Sequence, residues 1–175
     1  MATVPSQRDW AAGEVVTAAM LNANVRDAMN FVLARPDAML RQTVAQSLPH
    51  ATWTDIAWDV EDLDSDSGHS TTSNTSRYTA VTAGWYLVGG VVNISNSSTG
   101  VRATRLAVNG NPVLGSQVMV PPTVLNTAVP VVSRLVFLNV GDFITVEAFQ
   151  SSGSAVSTTI TAEAQSCFTA HWVRS

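Results

Sequence analysis

From Ala38 onward the chain runs as short segments rich in Val, Thr, Ile and aromatic residues, each broken by a cluster of Gly, Pro, Asn or Ser. Runs this short and this rich in β-branched residues are written for strands, and no long 3.6-residue periodicity competes with them. Ten strands are predicted: Met39 to Gln46, Thr52 to Val60, Arg77 to Thr82, Gly84 to Ile94, Val101 to Val108, Val113 to Val120, Ala128 to Leu138, Phe143 to Gln150, Ser157 to Ala164 and Ser166 to Val173. Asn109-Gly110-Asn111-Pro112 and Val140-Gly141-Asp142 put residues tolerant of positive φ between apolar runs, the chemistry of tight turns. In the last segment Phe168, Ala170 and Trp172 alternate with Thr169, His171 and Val173, so one face goes inward. The expected fold class is mainly β, a sandwich or jelly roll.

The first 36 residues follow another rule. Their apolar positions fall at helical spacing, and a helix from about Thr17 to Ala34 fits: Thr17 is an N-cap, Asn22, Asn24, Arg26 and Asp27 form a polar face, and Pro36 disfavours helical geometry at Arg35. Leu21, Val25, Ala28 and Val32 then share one stripe, with Met29 beside it. A helix of this length is marginal alone and has to pack on something. Its own domain is one candidate, and its copies or a larger assembly are the other. The expected division is a helical attachment segment over residues 1–37 and a head over residues 38–175.

Trp85-Tyr86-Leu87-Val88-Gly89-Gly90-Val91-Val92 and the run from Val131 to Val136 are apolar on both faces. A two-layer sandwich leaves one of those faces wet, and burial against identical subunits in a closed ring is the simplest cover, with insertions or the N-terminal helix as the alternative. Trp53, Trp58, Trp85, Tyr86, Phe137, Phe143, Phe149 and Trp172 are the expected core and interface residues, because large aromatics dominate both.

Composition excludes several functions. The basic residues are nine arginines and no lysine, scattered singly in a chain of net charge −4, so a nucleic-acid footprint is absent. No apolar run reaches membrane-spanning length, and Met1-Ala2-Thr3-Val4-Pro5 lacks the basic-then-apolar order of an export signal, so a soluble chain without membrane insertion is expected. A chain of 175 residues buries about two-thirds of its unfolded surface, and needs no metal or disulfide to hold a core. The lone Cys167, inside an apolar strand, has the character of a small buried hydrophobe.

The densest polar feature is acidic: Asp55, Asp59, Glu61, Asp62, Asp64 and Asp66, followed by Gly68. Asp62, Asp64 and Asp66 resemble the alternating oxygen ligands of a calcium loop, but Ser67 precedes the glycine and Ser73 stands where a bidentate Glu belongs. A solvated acidic loop at the end of a strand is the competing expectation. His50, His69 and His171 are far apart and none sits beside a nucleophile, and Glu147 and Glu163 on paired strands would be the one conceivable carboxylate dyad. No enzyme activity and no cofactor are expected. The polar stretches Ser70 to Ser76 and Asn93 to Thr99 are expected to be exposed loops suited to weak recognition.

Gln46-Ser47-Leu48-Pro49, Thr52-Trp53-Thr54, Trp58-Asp59, Asp64-Ser65-Asp66-Ser67-Gly68-His69, Ser76-Arg77-Tyr78-Thr79, Ala83-Gly84-Trp85-Tyr86-Leu87-Val88, Leu106-Ala107-Val108-Asn109-Gly110, Val140-Gly141-Asp142 and Phe149-Gln150 together resemble the globular-head domain of complement component one-q. The resemblance spans about Met39 to Ser175 and implies a ten-strand jelly roll of the tumour-necrosis-factor type, preceded here by the short α-helix. It also implies a homotrimer with apolar strand faces at its centre. The N-terminal stretch from Trp10 to Asn22, followed by Val25-Arg26-Asp27-Ala28-Met29-Asn30-Phe31, is similar to the opening of small virion proteins of tailed phages of actinobacteria. That resemblance implies attachment to other virion proteins through the N-terminal segment. The combined expectation is a tail-associated fibre, spike or minor tail protein whose head contacts a host cell-surface glycan. A capsid decoration or head fibre is the first alternative, and a lectin-like cellular module the second.

Overall fold

Alternation along one long strand organises the sandwich. The computed structural model describes residues 4–6, 8–161 and 163–175; residues 1–3 of the expected attachment segment and Ala162 of the expected strand 157–164 lie outside them. Its strands are β1 (Asp37–Arg41), β2 (Ser47–Leu48), β3 (Thr54–Asp55), β4 (Val60–Asp64), β5 (Tyr78–Thr79), β6 (Gly84–Ile94), β7 (Arg102–Val108), β8 (Asn111–Pro112), β9 (Val118–Val120), β10 (Thr127–Pro130), β11 (Arg134–Leu138), β12 (Phe143–Gln150), β13 (Val156–Ser157) and β14 (Cys167–Arg174). The first sheet has the order β10-β6-β14-β1-β4, with β11 also on β6. The second has the order β3-β12-β7-β8, with β5 on β12 and β9 on β7. A small β13-β2 ladder stands apart.

On β6, Tyr86, Val88, Val92 and Ile94 point inward and are fully buried. They meet Leu106 of β7 and Ile144, Val146 and Ala148 of β12 from the facing sheet, with Leu40 of β1 and Phe168 and Ala170 of β14 beside them. Trp58 and Tyr78 fill the edge where the chain passes between sheets, their rings 6.0 and 6.4 Å from that of Phe168. Trp58, Tyr78 and Tyr86 are thus the large aromatics of the core besides Phe168.

The other aromatics lie elsewhere. Trp85 and Phe137 pair edge-to-face at 5.6 Å on the outward side of the first sheet. Trp53, Phe143 and Phe149 are only half-buried and lie outside the core: Phe143 and Phe149 alternate with the inward Ile144, Val146 and Ala148, and the Arg77 and Arg105 guanidinium groups lie 4.0 Å from the Phe143 and Trp53 rings. Arginine cover is what keeps these rings from water without a second protein layer. Trp172 is half-buried, and its Nε1 donates to the Ala83 carbonyl at 3.2 Å.

Several expected strands are shorter or divided. Thr52 to Val60 is divided into β3 and the first residue of β4, because the chain between them crosses from the second sheet to the first with Trp58 as its plug. The acidic stretch was expected to be a loop, yet Val60–Asp64 is an edge strand on β1. Charge suits an edge, where it discourages further pairing, and the Arg41 guanidinium neutralises Asp62 at 2.8 Å. The Ala128 to Leu138 run is broken after Pro130, which has no N–H to offer a ladder.

The expected helix forms as α1 (Ala18–Leu21), a π-helical turn (Asn22–Arg26) and α2 (Asp27–Leu33) in direct succession. Thr17 is extended at φ −94°, and its hydroxyl accepts from Met20 N at 3.3 Å. The π turn corrects the expected stripe. In an α-helix positions four apart drift by about 40°, and the one extra residue in the widened turn absorbs that drift. Leu21, Val25, Met29 and Leu33 consequently line one groove, and Ala28 and Val32 border a second beside it. Only Phe31 is buried, with its ring edge-to-face on Trp172 at 4.8 Å. Among the described residues no helix is long and apolar enough to cross a membrane.

Gly84 opens β6 at φ +153°, where a Cβ would strike Trp172 Nε1 and lie 2.6 Å from the Arg174 carbonyl oxygen. Gly84→Ala should therefore cost about 3 kcal/mol. Chemical denaturation should show it as a lower midpoint with little change in slope.

Candidate functional site

The strand registers give the sandwich two unlike ends. Asp37 lies opposite His171, and Leu138 opposite Gly84, so the end of the helix sits at the start of β6. At the other end Ile94 faces Thr127, and Gln150 faces Arg102. Four connections gather there, residues 42–53, 95–101, 121–126 and, as far as described, 151–161 and 163–166, and they are rich in Ser, Thr and Asn. They are bonded to one another: Gly153 N donates to His50 Nδ1 at 3.0 Å, Asn96 N to Asn126 Oδ1 at 3.1 Å, and Thr99 Oγ1 to the Ser152 carbonyl at 2.9 Å. Ser97 and Thr123 add a bridge between two of them.

The cluster rests on two buried polar side chains. Arg102, at 1% exposure, donates to the carbonyls of Val101, Thr99 and Ser97 at 3.0, 3.3 and 3.4 Å. Burial pulls its pKa below the ordinary arginine value, but the guanidinium stays charged. Gln150, fully buried on the facing strand, donates to the Leu48 and Ser154 carbonyls at 2.9 and 2.8 Å and accepts from Ser152 N and Oγ. Together they pin three of the four connections by main-chain atoms, and Gly100, at φ +70°, passes too close to Ser151 O for any Cβ. Neither anchor was foreseen from sequence, where Arg102 is one arginine among nine and Gln150 simply ends a strand. What this end offers is hydroxyl and amide groups on a firm base, suited to hydrogen-bonded recognition of a polar ligand.

The acidic residues do not converge. Asp62 pairs with Arg41, whose hydrogen bond holds its carboxyl below the usual range. Asp64 accepts from Gly68 N and His69 N at 3.0 and 2.9 Å. Asp66 accepts from the Tyr78 hydroxyl at 3.2 Å, and burial pushes its pKa up to about 6. Ser67 takes the left-handed conformation at φ +58°, which is how the loop absorbs the residue before Gly68. Among the described residues no three or more His, Cys, Asp or Glu side chains are placed to hold a metal.

Groups for acid–base or nucleophilic chemistry are likewise dispersed. His50 belongs to the loop end, His69 is buried between the Arg77 and Trp58 carbonyls at 2.8 and 3.3 Å, and His171 meets Asp37 at 2.9 Å. Glu147 faces Arg105 and Asp55 across its strand pairs and bonds Arg105, while Glu163 lies outside any strand, so they form no dyad.

A second surface is apolar. The outward side of the first sheet exposes Met39, Leu63, Leu87, Leu135, Phe137 and Val173. Met39 faces Leu63 on β1 and β4, and Leu87 faces Leu135 on β6 and β11, so the exposed apolar side chains come as neighbouring pairs on either side of β14, whose Thr169 and His171 stand opposite Met39 and Leu87.

No protein-family model matches the chain, and no curated protein sequence does. Solved structures do. The globular domain of zebrafish complement 1qA superposes with a TM-score of 0.57 at 12% identity, covering 81% of this chain and 100% of that one. The fold is that of the complement 1q and tumour-necrosis-factor globular domains. Murine APRIL superposes with a TM-score of 0.58 at 13% identity, over 78% of this chain and 98% of its own. Eiger TNF from S. frugiperda gives 0.56 at 15% identity, over 81% and 96%.

Arg102→Met keeps the apolar stem but leaves the Ser97, Thr99 and Val101 carbonyls without their donor. Amide exchange across residues 96–101 should accelerate about tenfold while the β6–β14 ladder keeps its protection. Asp66 makes a pH prediction. Its folded pKa of about 6 lies above the ordinary aspartate range, so native stability falls as pH rises from 4 through 6 and is level above. Asp66→Asn should remove that fall and stabilise the protein by about 1 kcal/mol at pH 7.5, the full shift being discounted for partial exposure. Thermal melts at pH 4 and pH 7.5 check this.

Proposed function

We propose that the protein is a non-enzymatic structural component of a tailed-phage virion, a homotrimer whose helical segment attaches to other virion proteins and whose jelly-roll head faces the host. The observation that carries the proposal is the opposition of the two ends. Helix and polar loops are separated by the length of β6, the arrangement expected of an anchor and a displayed surface.

The trimer is supported by the apolar patch on the first sheet, which a lone head would leave in water, and by the shared fold with complement 1q and tumour-necrosis-factor domains. Three heads meeting across that patch would bury Trp85, the ring partner of Phe137, as well. The three loop ends would then point the same way, so that weak contacts to a repetitive host glycan add by avidity. The likeness of the N-terminal segment to phage virion proteins supports the placement, with the tail favoured over the capsid for a surface made to contact the host.

Light scattering on the purified chain should give three times the mass of one subunit, and a monomer at micromolar concentration overturns the trimer. Gold-labelled antibody against the head should mark the tail end of intact particles. Label over the capsid makes this a decoration protein, and no label removes the virion reading.

A further inference from the structure

The helix carries a continuous apolar surface that its own head does not cover. Leu21 is 47% exposed, Val25 44%, Met29 59% and Leu33 81%, and the π turn lines them along one side. We infer that this stripe is covered by the same stripe of two further copies of the chain, so that three helices stand together as a short stalk at the base of the head. The inference rests on the trimer proposed above and names what fills the helical groove.

Geometry supplies the first argument. Residues 34–36 alone separate the helix from β1, and Phe31 clamps it to Trp172 on β14. Both strands belong to the sheet whose outward side carries the apolar patch. Any threefold packing across that side therefore brings three helix ends to the same end of one axis, and their freedom to part is limited by a three-residue tether. The helical stripe and the sheet patch become one continuous interface.

Charge supplies the second. Parallel copies place like beside like, so a charged flank would repel itself. Here Arg26 and Asp27 are the helix's only charges, and they pair within one chain at 2.9 Å; the remaining polar positions are Asn22, Asn24 and Asn30. A stripe of period four with a neutral flank meets no electrostatic penalty against its copies. The stalk also moves the particle contact upstream, to the segment before Thr17, where Trp10, Val15 and Val16 are exposed.

The test uses the full chain with Val25→Cys in a Cys167→Ser background and a short trifunctional maleimide at micromolar protein. A covalent trimer is expected, and adding Met29→Glu, exposed in the single subunit, should cut its yield about tenfold. Light scattering on the same samples separates the outcomes. A trimer in solution without the cross-link overturns the stalk and leaves the trimeric head intact; a monomer overturns both.

Discussion

The antiparallel pairing of Gly84–Ile94 with Cys167–Arg174 is the constraint on which the rest of the molecule depends. It lies at the centre of the first sheet, and its register decides which residues fill the core and which look outward. Tyr86, Val88, Phe168 and Ala170 go in together. A slip of one residue would exchange them for Trp85, Leu87, Thr169 and His171. Gly84 and Trp172 lock one end of that register sterically, where the indole lies where a Cβ would be. The same register leaves Leu87 and its neighbours on the outer side, so the apolar patch is the other half of the choice that builds the core.

Core and loops are coupled through polar atoms. A jelly roll whose inward positions were all apolar would end in unsatisfied carbonyls wherever its connections turn over the core. Here the last inward positions of β7 and β12 are Arg102 and Gln150, and the carbonyls they reach belong to the turning segments. A buried cation without a carboxylate partner is costly, and bonds to several main-chain oxygens are the way a guanidinium meets that cost. The opposite end uses a lighter device: Ser65 Oγ accepts from Asp37 N at 2.8 Å and donates to the Arg35 carbonyl at 3.1 Å, joining the acidic edge to the helix exit.

Much of this was legible in the sequence. The long strands β6, β7, β12 and β14 and the capped helix ending before Pro36 match the structure, because local propensity and periodicity agree with the fold there, whereas the expected strand Ser157 to Ala164 shrinks to Val156–Ser157. The divided strands were not legible, since Thr52–Val60 has one continuous pattern and only the sheet-to-sheet crossing interrupts it. Trp53, Phe143 and Phe149 look like core residues by type, and only the three-dimensional structure places Arg105 over Trp53, Arg77 over Phe143 and the Trp53 ring beside Phe149. The helical stripe was displaced by a π turn, which side-chain spacing alone does not reveal. The loop end resisted prediction for a different reason: its organising residues act by hydrogen bonds to backbone atoms, and those leave no compositional trace.

That last feature has an evolutionary side. Arg102 and Gln150 hold the connections through carbonyl groups that every residue possesses, while the side chains of His50, Thr99, Asn126 and Ser151 add bonds between the connections themselves. Ser97, Thr99 and Ser154 are gripped by atoms that would survive substitution. Side chains of these segments that make no such bond can therefore change one at a time while the ladders stay in register.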